Sequence, residues 1–205
     1  MQSRTTIFLL ASILGLSATA CDKKSDASAD SMAAMASKKT ADSAMAAMPA
    51  MAPAAPALTD ANIVYILDQA NAADSARGTM AGTKGMSAAV KGFGKEMAGE
   101  HHALRQQGQA LATKLGVTPM APANDMSVAD AQTEMDKLNA EAKGKGWDKA
   151  YIDYEVTYHK AVLDIATKAL GAAQNQELKD LITKAAPILQ KHLDHAMAIQ
   201  SKMGM

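Results

Sequence analysis

Cysteine is almost missing from this chain of 205 residues: Cys21 stands alone, so no intramolecular disulfide can form. Aromatic residues are only 3%. Val, Ile and Thr are scattered rather than gathered into alternating runs, which leaves a β-sheet little to be built from. Charge of either sign is not in excess, because 21 Lys and Arg balance 21 Asp and Glu. A nucleic-acid partner, which needs a basic surplus, is therefore not expected. Nothing in the sequence resembles a nucleophile triad, a phosphate loop or a nucleotide fingerprint. What the chain does have is alanine and methionine in abundance, and the reading is all-α.

The first 21 residues, MQSRTTIFLLASILGLSATAC, carry Arg4, an apolar run from Ile7 to Leu16, and small residues before the cysteine. The run is about half the roughly 20 residues a spanning helix needs. Residues 1–20 are thus expected to be a cleavable secretion signal and not a membrane anchor. Ala18-Thr19-Ala20-Cys21 resembles a bacterial lipobox, in which the cysteine receives a lipid and becomes the mature N-terminus; Ala18 stands where such motifs usually carry Leu. The same residues fit the small-x-small pattern of ordinary signal peptidase, which would leave Cys21 a free thiol. The expected setting is the cell envelope, facing the periplasm, with the lipid in the inner or outer membrane. Asp22 resembles the inner-membrane retention signal of enteric bacteria.

From Cys21 to Leu58 the composition is low in complexity: ADSMAAM returns as ADSAMAAM, followed by PAMAPAAPA. With no bulky core former, this stretch cannot bury enough apolar area to offset chain entropy, and it reads as a tether. Met32, Met35, Met45, Met48 and Met51 are spaced like thioethers that hold Cu(I), a soft ion, although Met is also a helix-compatible filler.

Residues 59–205 read as a helical domain. Thr59 or Asp60 caps a helix running to about Lys84. A second runs from about Ser87 to Leu115, stopped by Gly116. After Pro119 and Pro122, Asp125 or Ser127 opens a shorter helix to about Lys143. Gly144 to Trp147 read as a turn into a helix from about Asp148 to Leu170, and the last helix spans about Gln176 to Lys202 with Pro187 inside it. Four long helices and one short helix in the crossover make a four-helix bundle. The apolar stripes agree. Leu178, Ile182, Ala185, Leu189, His192, Ala196, Ile199 and Met203 alternate steps of four and three. The other long helices carry Ile63-Leu67-Ala70-Asp74-Arg77-Ala81, Met86-Val90-Phe93-Met97-(Glu100 or His101)-Leu104-Leu111-Leu115, and Ile152-(Glu155 or Val156)-His159-Leu163-Ala166-Leu170.

Each long helix thus places an ionisable group on its apolar face near its midpoint: Asp74, Glu100 with His101, Glu155 with His159, and His192. Counted from the hairpin turns at about 1.5 Å per residue, the partners in each hairpin differ in height by about one helical turn, so they can meet in one layer. Of three readings of that layer, the first, a structural layer without catalysis, is the one expected, with metal binding as the alternative. His–carboxylate bonds can fix register in a bundle without further function; the same groups can hold Zn, Fe, Cu or Mn; or they can serve acid–base catalysis. No Glu in the chain has a His three residues later, which argues against a di-iron carboxylate centre. His102 and His195 fall off the stripes and are expected in solvent, whereas Tyr151, Tyr154 and Tyr158 are expected to pack against the short helix.

Three stretches, AAVKGFGKEMAGEHHAL, WDKAYIDYEVTYHKAVL and APILQKHLDHA, resemble the bacterial envelope family named domain of unknown function 4142, often labelled outer-membrane proteins and placed with ferritin-like bundles. The resemblance covers about residues 59–202 and implies a ferritin-like fold and an envelope location, with no assigned activity. By position it carries over to Glu100, His101, Asp148, Tyr151, His159 and His192. The chain departs at Tyr158, where the family often has an acid, and at Asp74 and Ala76, where it often has two glutamates.

Overall fold

The computed structural model describes residues 57–204, and every regular element among them is a helix. Thr59 starts α1 (Asp60–Lys84): its hydroxyl accepts from the Asn62 N–H while the Asn62 side chain accepts from the Thr59 N–H, a reciprocal cap. Ser87 caps α2 (Ala88–Leu115) in the same way through the Val90 N–H. Gly116, at φ 65°, ends α2 in the left-handed conformation that favours glycine. α3 (Ser127–Ala140) is the short helix of the crossover, and α4 (Lys145–Ala172) and α5 (Gln176–Met203) form the second hairpin. Asn175 caps α5 by accepting from the Glu177 and Leu178 N–H groups. α5 continues through Pro187 as one element.

Two boundaries differ from the sequence reading. α3 ends at Ala140, and α4 begins at Lys145, before the expected Asp148. The cause is Trp147, which is fully buried and donates its indole N–H to the Leu138 carbonyl at 2.7 Å. That anchor makes Gly144 to Trp147 the opening of a helix instead of a turn. Two stripe residues also miss the core: Met86 is 53% exposed because it lies in the turn before the Ser87 cap, and Leu170, in the last turn of α4, is 37% exposed.

Paired aspartates hold the hairpins in register. Asp60, in the first turn of α1, accepts from the Gln174 and Asn175 N–H groups at the start of α5. Asp148, in the first turn of α4, accepts from the Met86 and Ser87 N–H groups at the start of α2. Each carboxylate satisfies N–H groups at a neighbouring helix's start and sits at the positive end of that helix. Within the first hairpin the backbones nearly touch at Gly78 and Gly94, where an added Cβ would lie 2.6 Å from the partner helix.

The core comes in two apolar clusters. Phe93, Met97, Trp147, Ile152 and Ile199 belong to one; Ile63, Ala169, Leu178 and Ile182 belong to the other. Along each long helix a buried polar group falls between residues of the two clusters: Asp74 and Arg77, His101, Glu155 and His159, and His192. The polar layer is therefore sealed by oil on both sides.

Candidate metal centre

Three histidines from three helices meet in that layer. His101 on α2, His159 on α4 and His192 on α5 are all buried, with ring centroids 5.0, 5.4 and 5.6 Å apart. One ring nitrogen of each lies within 4.8 Å of the others. The height difference of about a turn expected from residue counting is absorbed, and the rings share one level.

Their hydrogen bonds fix which nitrogen carries the proton. His159 Nδ1 lies 3.0 Å from the Glu155 backbone carbonyl, which can only accept, so Nδ1 donates. His192 Nε2 donates to Glu100 Oε2 at 2.8 Å. His101 Nδ1 donates to Asn71 Oδ1 at 2.9 Å, and the Asn71 amide is oriented by its own NH2, which donates to the Leu67 carbonyl. The other nitrogens, His101 Nε2, His159 Nε2 and His192 Nδ1, are buried and have no partner. In a neutral imidazole that second nitrogen is a lone-pair acceptor. With its imidazoles neutral, the layer thus holds three acceptors with nothing to accept from.

Two carboxylates extend it. Arg77, fully buried on α1, donates through Nε to Glu155 Oε1 at 3.0 Å and through Nη2 to Asp74 Oδ1. Its guanidinium lies against the rings of Tyr158 (4.2 Å) and Tyr154 (4.8 Å). One oxygen of each carboxylate is used in this way, while the other, Asp74 Oδ2 or Glu155 Oε2, is buried and unpartnered. Asp74 Oδ2 stands 3.5 Å from His101 Nε2, and Glu155 Oε2 stands 3.4 Å from His159 Nδ1. Asp74, Glu155 and His159 also offer ligand atoms within 4.8 Å of one another. Counted together, one guanidinium faces two carboxylates, leaving the buried layer one negative charge in surplus when its imidazoles are neutral.

The imidazoles respond to that field unequally. His101 is pushed down to about 3 by burial, with His192 and His159 adding to it, so it stays neutral. Burial also lowers His192. His159 moves the other way: burial opposes its charge, but the Glu155 and Asp74 carboxylates outweigh burial and raise it. Arg77 is held far above its ordinary range, burial being overcome by Glu155 and Asp74.

Glu100 sits outside the layer with its side chain 38% exposed, joined to it through His192. Asp148 and Tyr151, which the family resemblance brought forward, take no part in the layer. Asp148 caps α2, and Tyr151 stacks on Trp147 at 5.5 Å with its hydroxyl unpartnered. Tyr154 and Tyr158 cover Arg77, in addition to lining a cleft beside α3. His102 and His195 are exposed. Cys21 and the methionines Met32, Met35, Met45, Met48 and Met51 lie outside the described residues, as does the secretion-signal segment. Sequence reasoning missed Arg77 and Asn71 as parts of the site. Arg77 had a signal, since an arginine three residues after an aspartate on an apolar stripe has to be neutralised inside the bundle. Asn71 had none.

Fold and site together define an all-α bundle crossed at mid-height by a buried histidine–carboxylate layer. The chain belongs to the family described as a domain of unknown function (DUF4142), whose pattern matches residues 45–199. No curated protein and no solved structure matches it.

Proposed function

We propose that this protein binds one transition-metal ion at the centre of its bundle, through His101 Nε2, His159 Nε2 and His192 Nδ1. The observation that carries the reading is the hydrogen-bond pattern: each imidazole gives its N–H to an outer acceptor and keeps a buried, unpartnered lone pair. Metal-ligating histidines are oriented in this way, with the N–H held by a carboxylate, amide or carbonyl and the other nitrogen on the ion. A purely structural tie accounts for Arg77 between its two carboxylates. It does not account for three lone pairs left without donors, each a desolvated group costing about 1–3 kcal/mol. Imidazole nitrogens bound at about 2.0–2.1 Å to one tetrahedral ion stand roughly 3.4 Å apart. One ring nitrogen of each histidine already lies within 4.8 Å of the others, so side-chain rotation has only the remaining gap to close.

Asp74 Oδ2, 3.5 Å from His101 Nε2, is the nearest candidate for a fourth ligand. The surplus negative charge of the layer favours a cation there. Three imidazoles and a carboxylate suit Zn, Cu or Fe, and not Mg or Ca, which take oxygen ligands. The setting we propose is the cell envelope, with Cys21 carrying the lipid that attaches the bundle to a membrane.

Elemental analysis of the purified chain and its His159→Ala variant, each loaded with Zn2+, Cu2+ or Fe2+ and desalted, tests the metal. About one equivalent in the parent, lost in a variant that keeps its helical circular dichroism, is expected. No retained metal under any loading would leave the layer a structural tie. Mass spectrometry of the mature N-terminus tests the anchor, and an unmodified Cys21 thiol would remove it.

A further inference from the structure

A buried site needs a way in. The three outward N–H bonds lead to three different walls of the bundle: from His159 to the backbone of its own helix, from His101 to Asn71 on α1, and from His192 to Glu100 on α2. Of these acceptors, Glu100 alone is charged, and its side chain is partly open to solvent. Glu96 stands one turn before it on α2, and Lys191 and His195 face the pair from α5. Lys191 Nζ lies 2.7 Å from Glu96 Oε1 and 3.0 Å from Glu100 Oε1, and His195 Nδ1 lies 2.7 Å from Glu96 Oε2. Two pairs of sequence neighbours, Glu100–His101 and Lys191–His192, each place one member on this outer rung and one in the buried triad.

We propose that the α2–α5 seam is the port through which a divalent cation reaches the triad: Glu96 and Glu100 collect the ion, taking it over from the Lys191 ammonium, and Glu100 passes it inward beside His192. This inference rests on the metal-binding reading above. Carboxylate oxygens readily take the place of water on a hydrated dication, and here two carboxylates already share one exposed ammonium. The exposed Lys191 ammonium holds that position by a contact that water screens, so an incoming double charge displaces it at little cost. The rival route passes Asn71, where a cavity of about 20 Å³ lies beside Leu67, Asp68, Leu104 and Arg105. Its one carboxylate, Asp68, is gripped at both oxygens by the Arg105 guanidinium and again by Gln109, whereas the seam offers two carboxylates with a single lysine ammonium between them.

The test is stopped-flow mixing of the metal-free full chain with Co2+, followed by the visible absorption of the tetrahedral ion. Lys191→Met is expected to load up to about thirtyfold faster and Glu96→Gln up to about thirtyfold slower, the weight of one unit charge acting on a dication at contact distance in water. The final absorbance should match the parent's, because neither side chain touches an imidazole of the triad. Both differences should shrink in concentrated salt. Arg105→Met, on the rival route, should leave the rate unchanged. Loading rates indifferent to both seam variants, or moved by Arg105→Met in their place, overturn the port while leaving the metal site standing. A parent chain that never develops the Co2+ spectrum overturns both.

Discussion

Replacing Arg77 by methionine isolates the electrostatics of the polar layer. Methionine keeps an unbranched stem of similar girth and removes the guanidinium. In the parent, that group donates to Glu155 Oε1 at 3.0 Å and to Asp74 Oδ1, and all three side chains are 0–1% exposed. Without it, two carboxylates remain in a layer closed above and below by apolar clusters, with His159, 3.4 Å from Glu155 Oε2, the nearest group able to take up positive charge. Stranding a partner of a buried ion pair costs about 3–5 kcal/mol. For a domain of this size each kcal/mol moves the melting temperature by about 2–4 °C, so Arg77→Met in chelator should melt about 6–20 °C lower. The loss is relieved by whatever brings positive charge to Asp74 and Glu155. Zn2+ is therefore expected to raise the melting temperature of the variant by more than that of the parent. Thermal unfolding followed by circular dichroism, with chelator and then with Zn2+, measures both effects. A metal-free variant that melts within about 2 °C of the parent would refute the reasoning, because it would mean that the two carboxylates are not desolvated as their burial implies.

Other outcomes follow from the same geometry. Asn71→Leu removes the acceptor that orients His101, and metal affinity in a chelator competition should fall about 10–100-fold; an unchanged affinity removes His101 from the ligand set. Gly94→Ala would put a Cβ 2.6 Å from Ala81 Cβ and 2.7 Å from the Gly78 carbonyl, forcing α1 and α2 apart at a cost of about 1–3 kcal/mol in denaturant unfolding. Gly99→Ala, with nothing within 4 Å, should instead stabilise by about 0.5–1 kcal/mol. Metal-free protein should lose stability as pH falls from about 6.5, because His101, held at about 3, refuses the proton that the unfolded chain accepts. His192, also lowered by burial, adds to the same slope, so His101→Gln should flatten it without reversing it. His159, raised by Glu155 and Asp74 against burial, contributes stability that is lost only as pH rises above about 6.5.

The helices were legible because their signals are local. Thr59, Ser87 and Gly116 announce caps within a few residues of the turns they make, and a stripe of period 3.5 to 3.6 needs no partner to be seen. The latches that set hairpin register were not legible. Asp60 bonds to residues 114 and 115 positions away, and Asp148 to residues 62 and 61 positions away. At that separation a first-turn acid looks like any residue favoured by the helix dipole. The start of α4 was hidden for a related reason. Two glycines around Lys145 argue for a turn on propensity alone, and only the tertiary burial of Trp147 overrides them.

For the site, the informative positions were those where the stripe could not choose between neighbours. Successive helical residues point about 100° apart, so when Glu100 and His101 both fit a seam position, one must take the core and the other its flank. The bundle sends His101 inward, where burial lowers its basicity, and leaves Glu100 at the edge. Lys191 and His192 divide in the same sense from the opposite helix. The flanking carboxylate then returns to the core indirectly, by accepting the N–H of His192 from across the seam. A stripe ambiguous between two ionisable neighbours therefore marks a buried group supplied with a polar contact to the surface. An isolated core histidine would need no such neighbour. Under the metal-binding proposal, this pairing supplies the layer with a polar contact to solvent that a layer fixing register alone would not need.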